Sequence, residues 1–170
     1  MVGIAQRPAE AEDREAVGHW EGDLIVGRHN RTAIGTLVER CTGWTMLVHL
    51  PDGYRSDQVR DALIAQLMTV PVPLRRTLTW DQGAEMRDWK DVAAATGVDI
   101  YFCDPHSPWQ RGTNENTNGL LRQYVPKGSD LSVHSREDLD RVAAELNDRP
   151  RKRLGFRTPI ELIEPLLRSP

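Results

Sequence analysis

From His19 to Val26 the chain alternates. Trp20, Gly22, Leu24 and Val26 fall on one side of an extended segment, and Glu21, Asp23 and Ile25 on the other. Two more runs with strand character follow, residues 32–39, apolar at Ile34 and Val38, and residues 45–50. The links GRHNR and RCTGW are short and carry Gly or Asn, so both read as hairpin turns and the three runs as an antiparallel meander. The period then changes. Ser56 can cap a helix running to about Met68, with Val59, Leu63 and Leu67 on one face, and VPVP ends it. LTW, residues 78–80, is a short buried strand leading into Asp81. Met86, Trp89, Val92, Ala93 and Thr96 keep helical spacing up to Gly97, and DIYF, residues 99–102, is another strand. DPHSPWQRGTN reads as a loop. Helices are expected from about Glu115 to Tyr124, from Ser135 with Leu139, Val142, Ala143 and Leu146 inward, and from the capping box TPIE at Thr158. This order predicts an α/β fold: a five-stranded mixed sheet, three antiparallel strands then two parallel, flanked by helices on both faces, with the first strand central.

Composition adds limits. A chain of 170 residues, 39% hydrophobic and 28% charged, suits one globular domain with a full-sized core. No apolar run is long enough for a membrane span, and the N-terminal residues lack a signal-peptide pattern. Cys41 and Cys103 show no metal-binding spacing and read as two buried free thiols of a reducing cytoplasm. The net charge of −3 does not advertise a nucleic-acid binder, but its distribution is uneven. Residues 1–27 hold six acids against Arg7 and Arg14, whereas residues 149–157 hold five bases and no acid. The basic run is either a solvated loop or a surface that meets an anionic partner.

The acids inside the strand pattern carry the chemistry. Asp is a poor strand former, and a carboxylate facing a core is costly unless compensated. In open α/β sheets, sites form at the carboxyl ends of parallel strands, which is where Asp81 sits. Asp23 lies on the strand expected at the centre, and Glu115 follows the long loop, with thirty-three residues (82–114) between Asp81 and Glu115. Three carboxylates without His or Cys companions make a hard-oxygen set suited to Mg²⁺ or Mn²⁺. Two such ions can serve phosphodiester chemistry and cancel the mutual repulsion of the acids. Glu21 shares the face of Asp23 and reads as a salt-bridge partner or supporting group. Each acid also has a plain reading: Asp23 as a bulge residue, Asp81 as a turn residue before Gly83, Glu115 as a favourable charge at a helix N-terminus.

GHWEGDLIVG, LTWDQGAEM and DPHSPWQRGTNENTNGLLRQYVPKGSDLS together resemble the three blocks of the DDE transposases of the insertion-sequence-thirty family, and LNDRPRKRLGFRTPIELI resembles that family's closing segment. The resemblance runs from about Arg7 to Ile163. It implies a ribonuclease H-like, integrase-type catalytic core that cleaves and joins DNA with two divalent ions, Mg²⁺ or Mn²⁺, held by Asp23, Asp81 and Glu115. It further implies DNA partners (element ends and target DNA), a homo-oligomer, no membrane association, and action at the nucleoid in a bacterial cytoplasm. Residues 1–17 are then a linker or leading segment, 18–148 the catalytic core, and 149–170 a basic loop and short helix packed on it. The family's N-terminal helix-turn-helix region has no counterpart before RPAEAEDR. An excised catalytic domain or truncated copy is therefore expected, with weak or absent recognition of element ends. Other roles within the same resemblance are a structure-selective nuclease and a truncated regulatory copy that pairs with full-length transposase.

Around Glu115, Asn118, Gly119 and Arg122 follow on one helical face, so Asn118 and Arg122 are expected beside the DNA backbone. Arg111, Lys127, Arg151, Lys152 and Arg153 are candidate phosphate contacts. Trp109 either stacks on a base or anchors a lid, and His106 reads as a loop brace.

Overall fold

A computed structural model describes residues 1–12 and 14–168. The strands are β1 (His19–Val26), β2 (Ala33–Glu39), β3 (Thr45–Val48), β4 (Thr77–Trp80) and β5 (Asp99–Phe102). They form one sheet in the order β3-β2-β1-β4-β5, so β1 is central. β1 pairs antiparallel with β2, and β2 with β3, while β1–β4 and β4–β5 are parallel. The α-helices among the described residues are α1 (Ala9–Glu12), α2 (Ser56–Leu67), α3 (Trp89–Thr96), α4 (Gly112–Leu121), α5 (Arg136–Asn147) and α6 (Pro159–Leu167). α2 and α3 supply the crossovers that parallel pairing demands. The sequence-based expectation of a mixed five-stranded sheet with helices on both faces, and with the first strand at its centre, describes this architecture.

The alternation in β1 sorts its side chains between two cores. Trp20 joins Leu37, Leu78, Trp80 and Phe102 under α2, α3 and α6, whose Leu63, Val92 and Ile163 are all buried. Ile25, on the other face, joins Ile34 and Leu47 under Leu121 of α4 and Leu139 and Leu146 of α5. Gly22 is needed where the first core is tightest. A Cβ there would stand 2.2 Å from the Trp80 ring, which is fully buried and has nowhere to go. Replacing Gly22 by Ala is therefore expected to destabilise the fold by about 1–3 kcal/mol through overpacking. Urea unfolding checks this: the midpoint should fall while the slope stays that of the wild type.

Helix ends follow their caps, with three departures from the expected boundaries. Ser56 is the first residue of α2 and not its cap. Arg55 precedes it, and the Arg55 N–H donates to Gln58 Oε1 at 2.9 Å. α3 begins at Trp89, after a single tight turn at Ala84–Met86. α4 begins at Gly112, three residues before Glu115, because the fully buried Glu21 carboxylate accepts the Asn114 N–H at 3.1 Å and so satisfies a first-turn donor. α5 has the expected capping box, with Ser135 Oγ accepting from the Asp138 N–H and Asp138 Oδ2 from the Ser135 N–H, both at 3.0 Å. Thr158 caps α6, and Gly97, at φ 77°, ends α3.

The polar N-terminal stretch also docks on the sheet. Val2 O accepts the Phe102 N–H at 2.8 Å, and Arg7 Nη1 donates to Thr79 Oγ1 at 3.0 Å. His19 is held between Thr77 Oγ1 and Glu10 Oε1, each at 2.7 Å. Cys103 is buried as expected, but Cys41 is only half-buried, because it lies in the surface turn between β2 and β3.

Candidate active site

The register of β1 on β4 places two carboxylates together. His19, Trp20 and Glu21 pair with Thr77, Leu78 and Thr79. Two residues beyond the last pair, on the same face of each strand, stand Asp23 and Asp81. A guanidinium lies between them. Arg111 Nη1 is 3.2 Å from Asp23 Oδ2, and Arg111 Nη2 is 3.7 Å from Asp81 Oδ2. The Arg111 side chain is 8% exposed, and Nη1 also donates to Gly22 O at 3.0 Å. Asp23 Oδ1 accepts the Leu24 N–H at 2.8 Å, and Asp81 Oδ1 accepts the Gly83 N–H at 3.0 Å in a tight turn.

The electrostatics are unbalanced. Two carboxylates face one guanidinium. Burial pushes the Asp23 carboxyl above the ordinary Asp value, and the neighbouring Asp81 charge adds to the push; Arg111 opposes both without reversing them. For Arg111 the balance runs the other way. Burial disfavours its charge, but Asp23 and Asp81 together outweigh burial and hold its pKa above the ordinary value. Both shifts say that this corner of the sheet favours added positive charge.

α4 is fixed to β1 by a stripe of polar side chains at helical spacing. Asn114, fully buried, donates Nδ2 to Thr36 Oγ1 at 3.0 Å. Asn118 Nδ2 reaches Asp23 Oδ2 at 3.3 Å and Asn114 Oδ1 at 3.1 Å. Arg122 Nη2 donates to Val26 O at 3.1 Å. Glu21, on the face of Asp23, pairs with Arg40 Nη1 at 2.8 Å, and Arg40 Nε donates to Ala11 O at 2.7 Å. Burial raises the Glu21 pKa in spite of Arg40. Its place is thus a structural anchor: it ties the first turn of α4 to the central strand.

The structure brings Asp23 and Asp81 together and leaves Glu115 apart. Glu115 is exposed on the flank of α4, three residues before Asn118, and among the described residues no three His, Cys, Asp or Glu side chains cluster closely enough to hold a metal ion. Asn118 and Arg122 turn toward β1 rather than solvent, and Arg111 is enclosed between the two acids. Trp109 is 74% exposed on the turn Pro108–Arg111, and Lys127, Lys152 and Arg153 are exposed, with Arg151 half-buried. Asn114 and Arg40 escape sequence reading. Asn114 shares with Asn118 the four-residue spacing of one helical face, which is a usable signal, whereas nothing in RCTG marks Arg40 as the partner of Glu21.

The model of the integrase core domain matches residues 13–108, more than half of the chain and both aspartates. The chain belongs to the integrase core domain family. That family generally uses divalent metal ions. The domain is 53% identical over 170 residues to the transposase for insertion sequence element IS1086 of Cupriavidus metallidurans, covering 100% of this chain and 50% of that protein. It is 50% identical over 161 residues to transposase InsI for insertion sequence element IS30A of Escherichia coli K12, covering 95% of this chain and 42% of that protein. The chain therefore spans about half the length of the curated relatives it matches. Among solved structures, a chain in the cryo-EM structure of the simian T-cell lymphotropic virus intasome in complex with PP2A regulatory subunit B56 gamma superposes with a TM-score of 0.67 at 17% identity. The match covers 91% of this chain and 56% of that one. This places the integrase core domain in the ribonuclease H-like fold. No helix among its described residues is long and apolar enough to cross a membrane.

Proposed function

We propose that this integrase core domain is the catalytic part of a DDE transposase, which cuts DNA at the ends of an insertion element and joins them to target DNA. The observation that supports this best is the pair Asp23 and Asp81, set at equivalent positions on adjacent parallel strands and only half neutralised by Arg111. The donor set fits a hard divalent cation, because both acids present carboxylate oxygens and the corner is short of positive charge. Asp23 and Asp81 would hold Mg²⁺ or Mn²⁺, as two ions, with Glu115 completing the set from the neighbouring flank of α4. When bound, such ions supply Lewis acidity to the attacking oxygen and to the leaving oxygen of a phosphodiester.

The protein's own groups do the positioning. The Leu24 N–H and Asn118 Nδ2 fix the orientation of the Asp23 carboxylate, and the Gly83 N–H fixes Asp81. Arg111 keeps the two acids together against their repulsion. In the first step water displaces the 3′ oxygen of the phosphodiester, leaving a 3′-hydroxyl and a 5′-phosphate. In the second, that hydroxyl attacks a target phosphodiester, so one bond forms as one breaks and no protein–DNA bond is needed. Trp109 and Lys127, both exposed, would add contacts to DNA, the first by stacking and the second by charge. The working form is a homo-oligomer that bridges two DNA ends, acting at the nucleoid in the bacterial cytoplasm.

Incubation of the protein with pre-cleaved element ends, plasmid target and Mn²⁺ tests the reading. Covalently joined products are expected. Nicking without any joining would replace it with a structure-selective nuclease of the same fold.

A further inference from the structure

Across α4 from the two aspartates lies a second feature. A cavity of about 380 Å³ opens between the flank of α4 and residues 149–153, and Arg14, Arg149, Arg151, Lys152 and Arg153 all line it with no acid among the lining residues. Thr113, Asn116, Thr117 and Leu120 form its helical wall. At 100° per residue these four occupy the side of α4 away from Glu115, Asn118 and Arg122. The body of a helix, about 10 Å across with side chains, therefore separates the cavity from the acidic corner.

The cations are gathered without ion-pair partners, although the buried Glu21 carboxylate acts on Arg14 at a distance. Among the described residues none of the five forms an ion pair. Arg151 Nη2 donates to Leu146 O at 2.9 Å, but its buried Nε has no partner among the described residues. Among the described residues Arg153 Nη1 reaches only Cys41 O, at 3.4 Å. Glu39, whose field reaches Arg153, is fully buried and already accepts from the Gly18, Cys41 and Thr42 N–H groups. Burial, and then the neighbouring guanidinium charges, lower the pKa of both Arg151 and Arg153.

The loop that carries these residues is built, not frayed. Arg151 forms an antiparallel bridge with Arg157, with Arg151 N–H to Arg157 O at 2.9 Å, and Arg151 O accepts the Phe156 N–H at 2.8 Å. Arg149 lies over the Tyr124 ring, 5.8 Å from its centroid. A folded structure that collects like charges and leaves a buried donor unsatisfied loses stability, and a polyanion restores it.

We propose that this cavity seats a backbone phosphate of duplex DNA at a point removed from the phosphodiester that reacts beside Asp23 and Asp81. DNA as the occupant follows from the function proposed above; the cation cluster itself calls for phosphate. The domain then grips DNA on both flanks of α4, one for chemistry and one for hold.

The test is fluorescence anisotropy of a labelled 30-base-pair duplex, titrated without metal over a series of salt concentrations. The double variant Lys152→Gln, Arg153→Gln alters two exposed side chains and keeps the fold. A control double variant, Arg87→Gln with Lys90→Gln, removes the same charge at exposed positions beside α3, on the other face of the sheet. Each phosphate contact contributes about 0.9 to the slope of log affinity on log salt, so the slope is expected to fall by about one for the first variant and to stay at the wild-type value for the control. Equal changes in the two variants would overturn the cavity assignment while leaving strand joining, and so the proposed function, untouched. Failure of the wild type to bind duplex at all would overturn both. Thermal stabilisation by inorganic phosphate equal to that by duplex, with unchanged slopes, would make the cavity a small-anion site and overturn DNA as its occupant.

Discussion

Replacing Asp23 by Asn is expected to reduce metal-dependent strand cleavage and joining to the level of a protein-free control, while the circular dichroism spectrum stays that of the wild type. The amide oxygen can still accept the Leu24 N–H, and Arg111 keeps Gly22 O and Asp81, so the corner retains its packing. What is lost is one of the three carboxylates that would hold the ions. Glu115→Gln separates two roles. Its side chain is exposed and makes no ion pair among the described residues, so metal-free stability should not move, whereas cleavage should fall as far as with Asp23→Asn. Full cleavage by Glu115→Gln would confine the metal set to the two aspartates. The pH dependence of the Asp23 variant has a definite sign. Burial raises the folded-state pKa of Asp23, so wild-type stability from this group is complete below the unfolded value and declines as pH rises through the folded one. The Asn variant lacks that decline. In EDTA its stability relative to the wild type should therefore rise across the same interval, as measured by urea midpoints at a series of pH values.

The second large effect lies behind the site. Arg40→Met should destabilise the fold by about 3–5 kcal/mol, because it leaves the fully buried Glu21 charge without its partner. It also removes the hydrogen bond to Ala11 O that helps hold the N-terminal stretch. Adding Glu21→Gln should recover most of the loss, since a neutral amide can still meet the Asn114 N–H without the cost of a lone charge. A double variant as unstable as the single one would show that the guanidinium acts by packing. Equilibrium urea denaturation distinguishes the two.

The parts of the fold that were legible in the sequence are those held by apolar periodicity. β1 declared itself by alternation, α2 by Val59, Leu63 and Leu67, Asp23 by breaking a strand pattern that was otherwise well supported, and Asp81 by its place at the carboxyl end of a short buried strand. The parts that were not legible are held by polar groups. The docking of residues 1–12 depends on Arg7, Glu10 and a carbonyl at Val2, and such bonds impose no period on a sequence. The early start of α4 has the same origin. Gly112 is a weak helix former, and only the distant Glu21 carboxylate shows why the helix begins there. Arg111 illustrates the limit for charge. A lone arginine in a Gly- and Asn-rich loop reads as a phosphate contact, and its capture by Asp23 and Asp81 is visible only once two strands and a helix are assembled. Glu115 was legible as a candidate by spacing and resemblance, while its exposure, with no third acid clustered beside Asp23 and Asp81 among the described residues, has no signature in the spacing.

The pairing of β1 with β4 stops at Glu21 and Thr79, two residues short of each aspartate. Asp23 and Asp81 thus sit in the crotch of a fork, beyond the last amide rung, where no ladder bond resists their parting. The site is consequently governed by parity. An insertion or deletion of one residue in either prong would turn its carboxylate onto the opposite face, among Trp20 and Trp80, and break up the acidic pair without any change of residue type. The tolerance of this domain to insertions should therefore map as a sharp notch at 21–23 and 79–81, in contrast to permissive surface turns such as 51–53.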